Sequence, residues 1–240
     1  MNYLAFNFIL GSNRRDTLSG GSGNDLIKAK DGRDYIVVTQ GEDTLRGNRG
    51  DDTFIWPYIE SHDSFRGRTY AEGGRGDDSF STHFGEYFID CGKGSDSVYA
   101  GLTFNSTNLQ SAIYGGSGKD YLYGSGNDDL INGGKGVDFL LGGAGDDTLI
   151  GGSQRDNLRG GAGSDLFVAS KGSDEIDDFN PREDKISGFY SPRINRTGGS
   201  WTTIRETIDG NKYSMKLYLL SDDDYEYLLN NFDSIFVGDY

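Results

Sequence analysis

The sequence predicts an all-β parallel solenoid, and three observations predict it: aspartates on a nine-residue ruler, glycines gathered ahead of each aspartate, and one apolar residue two places beyond it. Asp16, Asp25, Asp34, Asp43 and Asp52 form one run, Asp78 and Asp96 a second, and Asp120, Asp129, Asp138, Asp147, Asp156, Asp165 and Asp174 a third. The clearest units, residues 20–28 (GGSGNDLIK), 115–123 (GGSGKDYLY), 133–141 (GGKGVDFLL) and 142–150 (GGAGDDTLI), share the form Gly-Gly-x-Gly-x-Asp-x-apolar-x.

Glycine permits the left-handed backbone of a sharp turn and Asp favours turn positions, so six residues turn and three extend. The apolar slot holds Leu18, Ile27, Ile36, Leu45, Phe54, Phe80, Val98, Leu122, Ile131, Leu140, Leu149, Leu158, Phe167 and Ile176, with Ile89 in a degenerate repeat. A disordered polar linker has no reason to keep a large apolar residue in a fixed slot, so the slot is a core position. Three-residue strands are too short to stand alone. They are expected to stack into two parallel ladders about 4.8 Å apart, two repeats to a coil. Repeats on one edge are then eighteen residues apart. Asp120, Asp138, Asp156 and Asp174 fall on one edge and Asp129, Asp147 and Asp165 on the other. Like charges at that spacing repel by about 1 kcal/mol in water and roughly 3–4 kcal/mol at an effective dielectric near 20. A thin core does not easily offset that sum, so a cation is expected between turns.

The turns offer carboxylate and main-chain oxygens, which suits a hard cation with six to eight oxygen ligands, calcium rather than magnesium. One cysteine, Cys91, and two histidines, His62 and His83, give zinc or copper little to bind. On these motifs the sequence resembles the RTX family, the calcium-binding repeats of hemolysin-type toxins, secreted metalloproteases, lipases and alginate epimerases. The resemblance implies a right-handed parallel β-roll with several calcium ions. Each would lie between successive turns of one edge, held by the sixth-position Asp and by carbonyls of the glycine segment. It brackets sites by Asp16 with Asp34, Asp25 with Asp43, Asp34 with Asp52, Asp120 with Asp138, Asp129 with Asp147, Asp138 with Asp156, Asp147 with Asp165 and Asp156 with Asp174. Asp78 and Asp96 join the ligand set, as do Gly116, Gly118, Gly134, Gly136, Gly143 and Gly145. Some repeats depart from the pattern: Arg14, Asn127 and Gln154 replace the third glycine, residues 29–37 and 38–46 lack the leading pair, and Tyr87 stands in an Asp slot.

The organisation expected is a capping strand at 1–10, a first roll segment at 11–99 with an insertion at 56–72, an insertion at 100–114, a second roll at 115–177 and a C-terminal cap at 178–240. The first ten residues lack a basic start and a cleavage pattern, and are too few to span a bilayer. The first insertion reads either as a bulge over a weak coil or as a contact surface built on Trp56, Tyr58 and Tyr70. From Asp177 the repeat is expected to end, with a turn at Asn180-Pro181 and with Phe179, Ile186 and Phe189 covering the last coil. Residues 201–206 and 212–220 read as a hairpin around Asp209-Gly210, and Ser221 as a helix N-cap ahead of Tyr225, Leu228 and Leu229. The acidic and apolar end, residues 232–240, resembles the uncleaved signals of type I secretion.

A net charge of −15 and a pI near 4.4 disfavour nucleic acid and anionic membranes as partners. One cysteine excludes an internal disulfide framework. No H-E-x-x-H, G-x-S-x-G or Walker-type motif is present, and no enzyme activity is expected. The expectation is a secreted protein or module that folds on extracellular calcium and serves a structural, adhesive or recognition role, its partners calcium and an extracellular polysaccharide or surface protein. A carbohydrate-handling module and a virion or surface-layer component are the alternatives.

Overall fold

The computed structural model describes residues 6–38, 40–57, 68–83, 85–101, 110–189, 193–198, 201–208, 211–219 and 221–237. Tyr58, His62, most of both insertions and the Asp209-Gly210 turn lie outside the described residues. In chain order the strands are β1 (Phe6–Leu10), β2 (Thr17–Ser19), β3 (Asn24–Asp31), β4 (Tyr35–Val37), β5 (Thr44–Arg49), β6 (Thr53–Ile55), β7 (Arg68–Arg75), β8 (Ser79–Thr82), β9 (Glu86–Lys93), β10 (Ser97–Ala100), β11 (Ser111–Ser117) and β12 (Tyr121–Tyr123). They continue with β13 (Asp129–Lys135), β14 (Phe139–Ala144), β15 (Thr148–Ser153), β16 (Asn157–Ala162), β17 (Leu166–Val168), β18 (Asp174–Ile176), β19 (Lys185–Ser187), β20 (Arg193–Gly198), β21 (Trp201–Ile208) and β22 (Asn211–Tyr218). Helices α1 (Asp222–Asn230) and α2 (Phe232–Ile235) precede β23 (Phe236–Val237).

Odd-numbered strands from β1 to β19, with β23, make one eleven-stranded sheet; the even-numbered ones from β2 to β18, with β22, β21 and β20, make a twelve-stranded sheet facing it. All roll pairings are parallel, and in the regular stretches register partners are eighteen residues apart, as in Leu122 opposite Leu140 and Ile131 opposite Leu149. The chain is therefore an all-β parallel β-solenoid with strands and a short helix at its C-terminal end.

The period places every apolar slot on the inside. Ile27, Leu45, Ala71, Ile89, Ile113, Ile131, Leu149, Phe167 and Ile186 stack up the first sheet. Ile36, Phe54, Phe80, Val98, Leu122, Leu140, Leu158, Ile176 and Leu217 stack up the second. All are buried. Burying a side chain of this kind contributes about 1.5–3 kcal/mol, so the two columns carry the fold even though each strand is short.

Four expectations need correction. The frame resumes inside both insertions: Thr69 and Ala71 take the Asp and apolar slots in β7, and Ser111 and Ile113 take them in β11. Trp56 is 1% exposed in the core, with its N–H on the Ser81 carbonyl, so it offers no contact surface; Tyr70 stacks on Phe88 at 5.1 Å between centroids. The repeat does not stop at Asp177, because β19 pairs with β17 and carries Ile186 into the core column. Leu229 lies 42% exposed, whereas Leu228 is buried.

The C-terminal strands extend the roll. β22 pairs in parallel with β18 and antiparallel with β21, which pairs with β20. Glu175 clamps the junction with Arg155 at 2.6 Å and Lys216 at 3.1 Å. Ser221 and Asp224 form a reciprocal capping box on α1, and Arg182 from the last turn pairs with Asp224. Phe179 and Phe189 are buried at the C-terminal end of the roll, whereas Ile186, expected beside them as a cover, is part of the core column itself. Among the described residues no helix is long and apolar enough to cross a membrane.

Candidate metal centres in the two turn ladders

The parallel stacking turns the sequence ruler into two columns of side chains, one along each edge. On the first edge each aspartate accepts the main-chain N–H of its counterpart one coil earlier. The chain of bonds runs from Asp16 through Asp34, Asp52, Asp78, Asp96, Asp120, Asp138 and Asp156 to Asp174, at 2.7–3.2 Å. The ladder continues past both insertions. Asp52 meets Asp78 across 26 residues and Asp96 meets Asp120 across 24, junctions that the broken ruler did not show.

Oδ1 of each aspartate is thus occupied, and Oδ2 decides the chemistry. In Asp34, Asp52, Asp78, Asp96, Asp120, Asp138 and Asp156 it is buried without a hydrogen-bond partner among the described residues. A buried carboxylate oxygen left unpaired costs more than 1–3 kcal/mol, so a column of them requires compensation. In five of these turns a leading glycine makes room for that oxygen, whereas Ala29 precedes Asp34 and Cys91 precedes Asp96. A Cβ built on Gly115 would sit 2.5 Å from Asp120 Oδ2 and 2.6 Å from the Gly133 carbonyl; one on Gly133 would sit 2.6 Å from both Asp138 Oδ2 and the Gly151 carbonyl. Each such cradle therefore holds a carboxylate oxygen beside a main-chain carbonyl of the next coil.

The second and fourth positions bend the turn. Gly116 and Gly118, Gly134 and Gly136, and Gly143 and Gly145 all have positive φ, from 95° to 146°. Lys30, Asn48 and Gln154 are forced into the same region at 80–89° without being glycine. Stacking enforces these conformations whatever the residue.

Four aspartates have one carboxylate oxygen satisfied inside their own turn. Ser12 donates N–H and hydroxyl to Asp16, Ser125 does the same to Asp129 at 2.6 and 2.8 Å, the Ser170 hydroxyl reaches Asp174 at 3.0 Å, and the Asn180 N–H reaches Asp184 at 2.7 Å. These turns sit at the ends of the acidic runs. Asp184 escaped the ruler because its turn is one residue longer, yet Asp165 donates its N–H to it at 3.0 Å. The Asp-Lys-Ile triplet ending at Ile186 carried the signal. Asp51 and Asp77, and Asp128 and Asp146, form an outer acidic row at the fifth position, also absent from the sequence reading.

On the second edge the ladder is interrupted. Asn7 donates to Asp25 and Asp25 to Asp43; Asp129, Asp147, Asp165 and Asp184 form a second stretch. Between them the slots hold Thr69, Tyr87 and Ser111, three uncharged residues.

Burial is the main electrostatic force on the carboxylates. It raises Asp78 and Asp147 to about 8, Asp52, Asp96, Asp156 and Asp184 to about 7, and Asp120, Asp129, Asp165 and Asp174 to about 6. The ladder N–H groups oppose the shift, and neighbouring carboxylates add to it in most of these turns. Among the described residues no three His, Cys, Asp or Glu side chains converge on one point. That agrees with a donor set made of one carboxylate per turn plus main-chain carbonyls.

A parallel β-roll whose turns bury acidic oxygens against glycine carbonyls defines the class of protein. The family profile for the RTX calcium-binding nonapeptide repeat, in four copies, matches residues 6–36, 29–55, 112–140 and 141–176. Over those segments the chain belongs to the RTX calcium-binding repeat family, and it is a calcium-binding β-roll module. No curated protein sequence matches it. Among solved structures, the AlgE6R3 subunit from the Azotobacter vinelandii mannuronan C5-epimerase is similar at 28% identity and a TM-score of 0.37, over 46% of this chain and 75% of that one. The extracellular lipase LipA from Serratia marcescens is similar at 18% identity and a TM-score of 0.38, over 99% of this chain and 40% of the lipase.

Proposed function

We propose that the turn ladders are the calcium sites and that ion binding drives the roll to fold. Asp34, Asp52, Asp78, Asp96, Asp120, Asp138 and Asp156 supply the carboxylates of the first edge, and Asp25, Asp43, Asp147 and Asp165 those of the second. The self-capped Asp16, Asp129 and Asp174 terminate the rows. Carbonyls of the glycine segments, Gly116, Gly118, Gly134, Gly136, Gly143 and Gly145 among them, complete the shell. One observation carries the reading: a column of buried carboxylate oxygens with no hydrogen-bond partner among the described residues, lying beside a carbonyl of the next coil in the turns of Asp52, Asp78, Asp120 and Asp138. A bound ion would supply the missing charge and bind the folded state selectively, adding about 2.7 kcal/mol per site at a hundred times Kd.

RTX repeats are typical of secreted bacterial proteins, and we place this chain outside the cell, exported by type I secretion through the C-terminal end and folded where calcium is millimolar. Far-ultraviolet circular dichroism with EGTA and then with calcium tests the coupling. Strand signal and Tm that both rise with calcium are expected, and a roll equally folded and equally stable in EGTA would refute the coupling.

A recognition role has its own support. The outer face of the twelve-stranded sheet exposes Tyr99 (54%) and Tyr121 (40%), beside Tyr123 and Phe139 with ring centroids 5.7–6.5 Å apart. An aromatic strip of this kind on a flat sheet suits stacking against an extracellular polysaccharide. A glycan array on the calcium form should show binding that Tyr99→Ala/Tyr121→Ala removes; an unchanged array profile would assign the strip to another role.

A further inference from the structure

The interruption of the second edge is built around a single side chain. Tyr87 occupies the slot where the period requires an aspartate, and it is 4% exposed. Its N–H donates to Ser111 Oγ at 3.3 Å, so the ladder bond survives with a hydroxyl in place of a carboxylate. The Tyr87 hydroxyl is buried near the side chains of Thr82, Ser111 and Ser125 and feels the charge of Asp129, and it has no hydrogen-bond partner among the described residues. Asp129 Oδ1 is likewise buried and unpartnered. Thr82 stands where the regular units have their leading glycine.

We infer that Tyr87 replaces an ion: its ring and hydroxyl occupy the inside of the second edge between the two acidic stretches and divide that edge into two separate calcium rows, while the first edge keeps one unbroken row. The inference rests on the calcium reading above. Its physical basis is that an uncharged slot creates no repulsion to be neutralised. A phenol also places a polar tip in the field of Asp129 without the desolvation penalty of a second carboxylate. The core is bulkiest on the same coils, where Trp56 lies buried and Phe54 stacks on Phe80 at 4.5 Å, so those coils depend least on ions for cohesion.

Anomalous diffraction at long wavelength from crystals of the full chain grown with calcium tests this directly. Peaks are expected along the whole first edge, and on the second edge beside Asp25 and Asp147 but not beside Tyr87. A peak beside the Tyr87 hydroxyl overturns the inference and leaves the calcium reading intact; no peaks on either edge overturns both. Calcium content by atomic emission provides a second measure. Thr82→Gly/Tyr87→Asp is expected to gain about one ion per chain, since it restores the carboxylate and the leading glycine of the regular unit. Tyr87→Phe, which keeps the ring, is expected to hold the wild-type content. A folded double variant without the gain, or a gain in Tyr87→Phe, would count against Tyr87 as the substitute.

Discussion

At the scale of single residues, the aspartates divide by the fate of Oδ2, and the division predicts different consequences for the same substitution. Asp138 has a buried, unpartnered Oδ2, whereas the Ser170 hydroxyl holds that of Asp174. Asp138→Asn keeps the ladder acceptor and places an amide donor toward the Gly151 carbonyl. It is expected to weaken calcium binding ten- to a hundredfold, the loss of one charged donor worth about 1.5–3 kcal/mol, while raising Tm in EGTA. Asp174→Asn is expected to change calcium affinity much less. Calorimetric titration and thermal melts of the two variants check the contrast, and equal losses at both positions would remove the distinction between interior and terminal turns. The sixth-position aspartates were legible in the sequence because one period placed them all. Whether an oxygen is free or capped was not, because Ser12, Ser125 and Ser170 look like any serine in a turn. Trp56 read as surface because it follows the regular strand β6, and only the packing showed that its ring closes the core.

At the scale of elements, each strand is held by its neighbours in the column rather than by its own length, and the end of the roll is closed by β22 on β18 and β23 on β19. Phe179 covers it, its ring edge-on to Phe167 at 5.9 Å. Phe179→Ala is expected to cost about 3–5 kcal/mol and to open the roll from its C-terminal end. Limited proteolysis would then cut near residues 177–188 before the central coils; a cleavage pattern identical to wild type would show that the end is held by something else. The strands of the nine-residue repeats were legible because glycine and Asp punctuate them. β19 was not, because Asn180-Pro181 and an added residue disguise a turn that still delivers Asp184 and Ile186 to their columns. The helix start was legible from Ser221 and its acidic first turn, and the capping box accounts for it. The attachment of β22 to β18 was not, since alternation along a hairpin says nothing about which sheet edge it joins.

For the whole molecule, the buried carboxylates make stability depend on pH in opposite senses with and without calcium. In unfolded chains aspartates titrate near about 3.9. In the folded, calcium-free roll burial raises them to about 6, as in Asp120, and to about 8, as in Asp78 and Asp147. The folded state therefore holds more protons between those limits. Its stability is fullest below the unfolded value and declines as pH rises through about 6 to 8. Thermal melts in EGTA should give a higher Tm at pH 5 than at pH 8.5, and the reverse order would contradict the burial of these groups. With calcium the protons compete with the ion, so affinity should increase over the same range.

The nonapeptide by itself determined the strand period, the inward apolar slot, the parallel stacking and the acidic turns, because each is a local consequence of where glycine, Asp and one apolar residue recur. Only the tertiary structure decided that the first edge runs unbroken past both insertions, that Tyr87 splits the second, and that the C-terminal hairpin lengthens one sheet. Those outcomes depend on which coil lies against which, and a loop of any length can be excluded from the stack without changing the register of the residues that remain in it.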